Sequence, residues 1–160
     1  MLIYGKEIRE KLKAEIQRAL ETNPATLTVV QVGDEGPSQA YVNGIKNFGR
    51  DVGAEVTVLN FPADISQEEL LDQIYRLNRD PAVTGIMIQK PLPAHINDDV
   101  VVSALDHRKD VEGIHYYNMG RLFSKEEGVK PSTPKAVIRM LKEHGIEIER
   151  KKVTIVGRSA

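Results

Sequence analysis

The chain has 160 residues, room for one domain with a real core but not for two full ones. Its 22 basic and 23 acidic residues leave a formal net charge of −1, which argues against a polyanion-binding protein. There is no cysteine, so disulfides, thiolate metal sites and a cysteine nucleophile are excluded.

Met1 to Tyr4 leads into a charged segment without the apolar core of a signal peptide. No run approaches the roughly 18 apolar residues of a membrane span. A cytoplasmic protein with no membrane or nucleic-acid partner is expected. From Gly5 to Thr22, Ile8, Leu12, Ile16 and Leu20 recur every fourth residue, the stripe of an amphipathic helix closed by Pro24. Thr26 to Val32 is a β-branched strand, Gly33 to Pro37 a loop, and Ser38 a cap for a helix ending near Gly53. Glu55 to Phe61 reads as a second strand. Ser66-Gln67-Glu68-Glu69 is a capping box opening a helix with Leu70, Leu71, Ile74 and Leu77, ended by Pro81.

Val83 to Ile88 is an apolar strand of the kind buried on both faces. It stops at Gln89-Lys90-Pro91-Leu92-Pro93, where two prolines impose an extended exit. Ligands of open α/β sheets bind at the carboxyl ends of strands, so Gln89 and Lys90 are well placed to meet one. Asn97 to Leu105 predicts a helix with Asp98-Asp99 in its favourable first turn. Lys109 to Leu122 reads as irregular. Thr133-Pro134 predicts a cap and first-turn proline for a helix running to Leu141 and stopped by Gly145. Lys152 to Gly157 predicts a last strand.

This alternation indicates an α/β fold: three α/β/α layers around a mostly parallel sheet, plus the first strand of a Rossmann-like domain. Residues 1–130 form the expected catalytic domain. Residues 131–160 form a linker helix and the opening strand of an incomplete dinucleotide domain, because a βαβ unit needs ~30 residues or more. The chain thus reads as a piece that stops just inside a second domain, and by itself it is expected not to turn over.

Three segments carry candidate chemistry. They are the helix with Tyr41, Gly44, Ile45 and Lys46, the strand end at Gln89, and Lys109-Asp110-Val111-Glu112-Gly113. A Tyr, a Lys, a Gln and one or two carboxylates together suit a flat, amide-bearing ligand such as a pterin. Singly, each has a structural explanation: Tyr41 as a core aromatic, Lys46 as a solvated cation, Asp110 and Glu112 as members of a surface turn. His95, His107, His115 and His144 show no zinc spacing, so no metal is expected.

The motifs Val32-Gly33-Asp34 with Ser38 and Tyr41-Val42, Gly85 to Pro93, Lys109 to Gly113, Asn118 to Leu122, Pro131 to Pro134 and Val156 to Ser159 occur in order. Together they resemble the methylenetetrahydrofolate dehydrogenase/methenyltetrahydrofolate cyclohydrolase family along essentially the whole chain. The resemblance implies hydride transfer from methylenetetrahydrofolate to NADP, or less often NAD, and then hydration of the methenyl cation to 10-formyltetrahydrofolate. It implies that Tyr41 packs against the folate, Gln89 hydrogen-bonds a catalytic lysine, and Glu112 holds the pterin edge. Catalytic roles thereby fall to Tyr41, Lys46, Gln89 and Glu112. Substrate contacts fall to Tyr41, Gly44, Ile45, Gln89, Asp110 and Glu112, and to Lys90, which stands where the family commonly has leucine and adds a cation for the glutamate tail. Gly157, Arg158 and Ser159 match the turn that meets the cofactor phosphates, and a homodimer of the intact protein is implied.

One departure bears on chemistry. The family lysine lies four residues after the tyrosine, and that position is Ile45; Lys46 is one residue further, rotated by roughly 100° on a helix. The family's second lysine is replaced by Asn47. Weak or absent cyclohydrolase activity with oxidation retained is therefore expected. Glu112 for aspartate, Ser132 for cysteine and Ala136 for glycine are milder changes. The other readings are a non-catalytic folate-binding module and the substrate domain of an amino-acid or shikimate dehydrogenase-like enzyme.

Overall fold

The structure is a computed structural model that describes residues 3–33 and 36–157, with the side chains of 36–38 excepted. The elements run α1 (Lys6–Thr22), β1 (Thr26–Val32), α2 (Gly36–Val52), β2 (Glu55–Phe61), α3 (Gln67–Arg79), β3 (Gly85–Ile88), α4 (Asp98–Ala104), α5 (Tyr116–Phe123) and α6 (Ser132–Glu143). The three strands form a parallel sheet in the order β2-β1-β3. An isolated parallel bridge between Ile86 and Asp110 extends it on the far side of β3.

Side-chain alternation divides the core into two layers. Val30, Val32, Ile86 and Ile88 face α3 and α4, where Leu70, Ile74, Val101 and Leu105 complete the larger cluster. Val29 and Met87 face the other way, toward Val42 of α2, with Leu27, Ile45, Val56 and Val58 around them. Helices on both faces of a parallel sheet give the three layers that the sequence predicts. All four residues of β3 are buried, as its uninterrupted apolar run requires. Full burial of Leu70 and Ile74 contributes about 1.5–3 kcal/mol each.

The ends of α3 follow the sequence closely. The Ser66 side chain accepts from Glu69 N–H, and the Glu69 carboxylate accepts from Ser66 N–H. Asn97 caps α4 by accepting from Asp99 and Val100 N–H. Gly145 ends α6 at φ +65, with its N–H donating to Lys142 O.

Four expectations need correction. The helix α2 begins at Gly36, so the backbone at Ser38 is already helical, and the cap position before Gly36 lies outside the described residues. Residues 109–122, read as irregular, contain most of α5, capped by His115 Nδ1 accepting from Tyr117 N–H. The helix α6 starts at Ser132, which places Thr133 inside it and Pro131 at its cap position. Residues 152–157 form no strand. Val153, Ile155 and Val156 are 71%, 88% and 97% exposed, with no neighbouring strand among the described residues to share their backbone hydrogen bonds.

Candidate active site

The site is built at the carboxyl edge of the sheet. The register pairs Val30 with Ile88, and Gln89 N–H continues that ladder by donating to Val30 O at 2.8 Å. Gln31 and Gln89 are therefore neighbours in the next row, strands ~4.8 Å apart, and both point to the α2 side by alternation. Both are buried, at 2% and 9% exposure. Gln31 Nε2 donates to Gly33 O at 3.2 Å and to Gln39 Oε1 at 3.4 Å, tying the row to the start of α2. Gln89 Nε2 donates to Lys90 O at 2.6 Å. The Oε1 atoms of Gln31 and Gln89 are buried without a hydrogen-bond partner among the described residues. A buried acceptor of this kind costs stability until something donates to it.

Tyr41 stands in the amino-terminal half of α2, the part nearest that edge. Its ring is 57% exposed, so it is not the core aromatic that its pattern also allowed. Gly44, on the same side of the helix, has open space where a side chain would be. Ile45 is partly buried and packs into the cluster of Val29, Val42 and Met87, directly below the row of Gln31 and Gln89. Lys46 is exposed and makes no hydrogen bond or ion pair with the described residues. At 3.6 residues per turn it stands roughly 140° from Tyr41, against roughly 40° for Ile45. Lys46 thus lies on the opposite flank of α2 from Tyr41, as its one-residue offset from the family lysine position predicts.

The acidic segment separates into two roles. Asp110 is 1% exposed, and its carboxylate accepts from the N–H groups of Glu112, Gly113 and His115 at 2.9–3.1 Å and from Asn118 Nδ2 at 2.8 Å. Each oxygen already receives two donors, so the expected substrate contact by Asp110 is corrected to an anchor for the loop. Glu112 is the free acid of the pair. Burial raises its pKa above the usual carboxylate range, helped by the charge of Asp110 and opposed by Lys90 and a hydrogen bond from Ile88 N–H. Ile88 N–H lies on the outward edge of β3, where Ile86 pairs with Lys109 and Asp110 and on the side from which Glu112 approaches. Lys90 is bound to Asp98 at 2.8 Å and is half-exposed, so its expected contact with a ligand tail competes with an existing ion pair.

Of the predicted site residues, Gln89, Lys90 and Glu112 meet at the end of β3, and Tyr41, Gly44 and Ile45 lie on the helix that packs over the same edge. Gly157 is exposed, and a Cβ added there would meet nothing within 4 Å. Arg158 and Ser159 lie outside the described residues. Sequence reasoning missed Gln31. The available signal was an amide at the last inward position of an otherwise apolar strand, Thr26 to Val32.

Residues 3–112 match the model of the tetrahydrofolate dehydrogenase/cyclohydrolase catalytic domain. The chain belongs to that family. Within it, the chain is 52% identical over 159 residues to a bifunctional protein FolD 2 of Syntrophomonas wolfei, covering 99% of the chain and 58% of that relative. It is 40% identical over 164 residues to a bifunctional FolD of Streptococcus pneumoniae, again covering 99% of the chain and 58% of the relative. The crystal structure of the bifunctional FolD of Campylobacter jejuni superposes with a TM-score of 0.85 at 36% identity, covering 89% of the chain and 52% of that one. The Trypanosoma brucei family enzyme, complexed with NADP cofactor and inhibitor, gives 0.84 at 26% identity, with coverages of 92% and 53%. The chain spans 58% of the length of these curated relatives. These two family structures share its fold over about nine-tenths of the chain.

Proposed function

We propose that this chain is the folate-binding part of an enzyme of one-carbon metabolism that oxidises 5,10-methylenetetrahydrofolate to 5,10-methenyltetrahydrofolate with NADP or NAD. The observation that carries the reading is the end of β3, where the Gln89 oxygen is buried with no partner among the described residues and Glu112 is held near Ile88 and Lys90, the residues flanking Gln89. In this reading residues 1–130 form the catalytic domain and 131–160 lead into the cofactor domain. The exposed ring of Tyr41 is a stacking surface for the pteridine, with Gly44 leaving room beside it. Glu112, when ionised, accepts from the N–H groups of the pterin edge.

The dinucleotide would supply the hydride acceptor. The described residues do not by themselves build a cradle for it, since Gly157 stands in open space. NADP or NAD is therefore proposed for the intact protein, as are a homodimer and a cytoplasmic location. No helix among the described residues is long and apolar enough to cross a membrane.

Hydration to 10-formyltetrahydrofolate is weak in this proposal. A positioned proton-transfer group contributes on the order of 10²–10⁴-fold. Ile45 can neither donate nor accept a proton, and Lys46 stands on the wrong flank to replace it. The test is a spectrophotometric assay of the intact protein with methylenetetrahydrofolate and each dinucleotide. Oxidation with either one supports the proposal. Binding of tetrahydrofolate without turnover would favour the non-catalytic module instead.

A further inference from the structure

The amide of Gln31 has no assigned role, yet it is buried at the edge, at 2% exposure. Its orientation is chemically fixed. The Gly33 carbonyl can only accept, so the amide nitrogen of Gln31 must face it and the oxygen must face away. The Lys90 carbonyl fixes Gln89 in the same manner. Turning either amide would set two acceptors against each other. The sheet edge therefore presents two acceptor oxygens in one row, on the side covered by the first turns of α2.

Two adjacent buried acceptors with no donor are a poor solution for stability alone, because an unsatisfied buried amide oxygen is penalised and an apolar side chain there is not. The neighbouring rows show the apolar solution, with Val29 beside Met87 on the same face. Among the described side chains of α2, Val42 and Ile45 pack on this face and have nothing to donate, and Gln39 meets Gln31 through its oxygen.

We infer that Gln31 and Gln89 form a two-acceptor seat that receives an N–H-bearing edge of the bound ligand, which makes Gln31 a ligand-contacting residue. This rests on the folate reading above and deepens it, since it assigns the seat to donor groups of a reduced pteridine. The oxygens are covered in the structure, and a modest swing of the terminal amide torsions, which are soft, opens them toward the strand ends.

The experiment compares the intact wild-type protein with Gln31→Met and, as a second apolar variant, Gln31→Leu. Affinity for tetrahydrofolate is read by calorimetry, and stability by thermal unfolding without ligand. Methionine is close in shape to glutamine and removes the orphaned oxygen. The expected result is about tenfold weaker binding, the equivalent of one lost hydrogen bond, with an unchanged or raised Tm. Unchanged affinity in both variants overturns the inference, and so does a weakened affinity that comes only with a lowered Tm or loss of the fold in both. If the wild-type protein itself fails to bind tetrahydrofolate, the folate reading falls. If it binds and the variants bind equally, only the role of Gln31 falls.

Discussion

Asn118 donates a 2.8 Å hydrogen bond to Asp110 in the protein interior, and that pair ties α5 to the loop that carries Glu112. The same carboxylate collects three backbone N–H groups. Removing it strands four donors, each costing about 1–3 kcal/mol when left buried and unmade. Asp110→Ala should therefore lower stability by about 3 kcal/mol or more. Urea unfolding checks this, as a fall in midpoint at constant slope.

Gly113 closes that loop at φ +69 against the backbone of the segment before α6. A Cβ there would come within 2.8 Å of Lys130 C and Val129 O. Gly145 has a similar φ of +65 but open space around it. Gly113→Ala should cost more than ~3 kcal/mol, because backbone must move as well as adopt a strained conformation. Gly145→Ala should cost only about 1 kcal/mol. Equal losses in paired unfolding curves would show that the loop is not clamped.

Glu112 sets a pH dependence. Its pKa is raised in the folded protein, so between the unfolded and folded values the native state holds the extra proton and stability falls as pH rises. Ligand binding needs the ionised form, so it should weaken on acidification, beginning above the ordinary carboxylate range of about 4.3. Glu112→Gln should flatten that dependence in a titration of tetrahydrofolate affinity. A depressed pKa gives the opposite behaviour at Asp106, which the Arg108 side chain holds at about 2; its contribution is complete above the ordinary value of 3.8 and is lost as pH falls from there through about 2.

Ile45 packs onto the Val29, Val42 and Met87 layer next to the row of Gln31 and Gln89, so a long side chain at this position points toward that row. Ile45→Lys should therefore raise hydration of methenyltetrahydrofolate by on the order of 10²-fold while oxidation changes little. Two separate rate measurements on the same preparation decide this. A parallel rise in both, or in neither, would contradict the assignment of position 45.

Local chemistry explains what the sequence made legible. β1 and β2 coincide with their β-branched runs, and α3 with its capping box, because propensity, pattern and burial agree there. The start of α2 was obscured by Gly36 and Pro37, which read as loop although a helix tolerates both in its first turn. α5 was hidden by an unusual cap, His115, and by Gly120 within a short run. Residues 152–157 have the residues of a strand, but a strand needs a partner as well as a pattern. In the site, the chain order named Tyr41, Gln89 and Glu112. Only the resemblance set Glu112 apart from Asp110; the physical reason lies in the fold, where backbone N–H groups consume the Asp110 carboxylate. Gln31 was passed over because one amide within an apolar run acquires meaning only when the register sets it beside Gln89.

The central claim is a folate site that oxidises well and hydrates poorly. Following methylene-, methenyl- and 10-formyltetrahydrofolate together, during turnover by the intact protein with NADP or NAD, tests it most directly. The account predicts that the methenyl species accumulates well beyond the formyl product. Formyl product appearing as fast as the methylene substrate disappears, with no build-up between them, would contradict it.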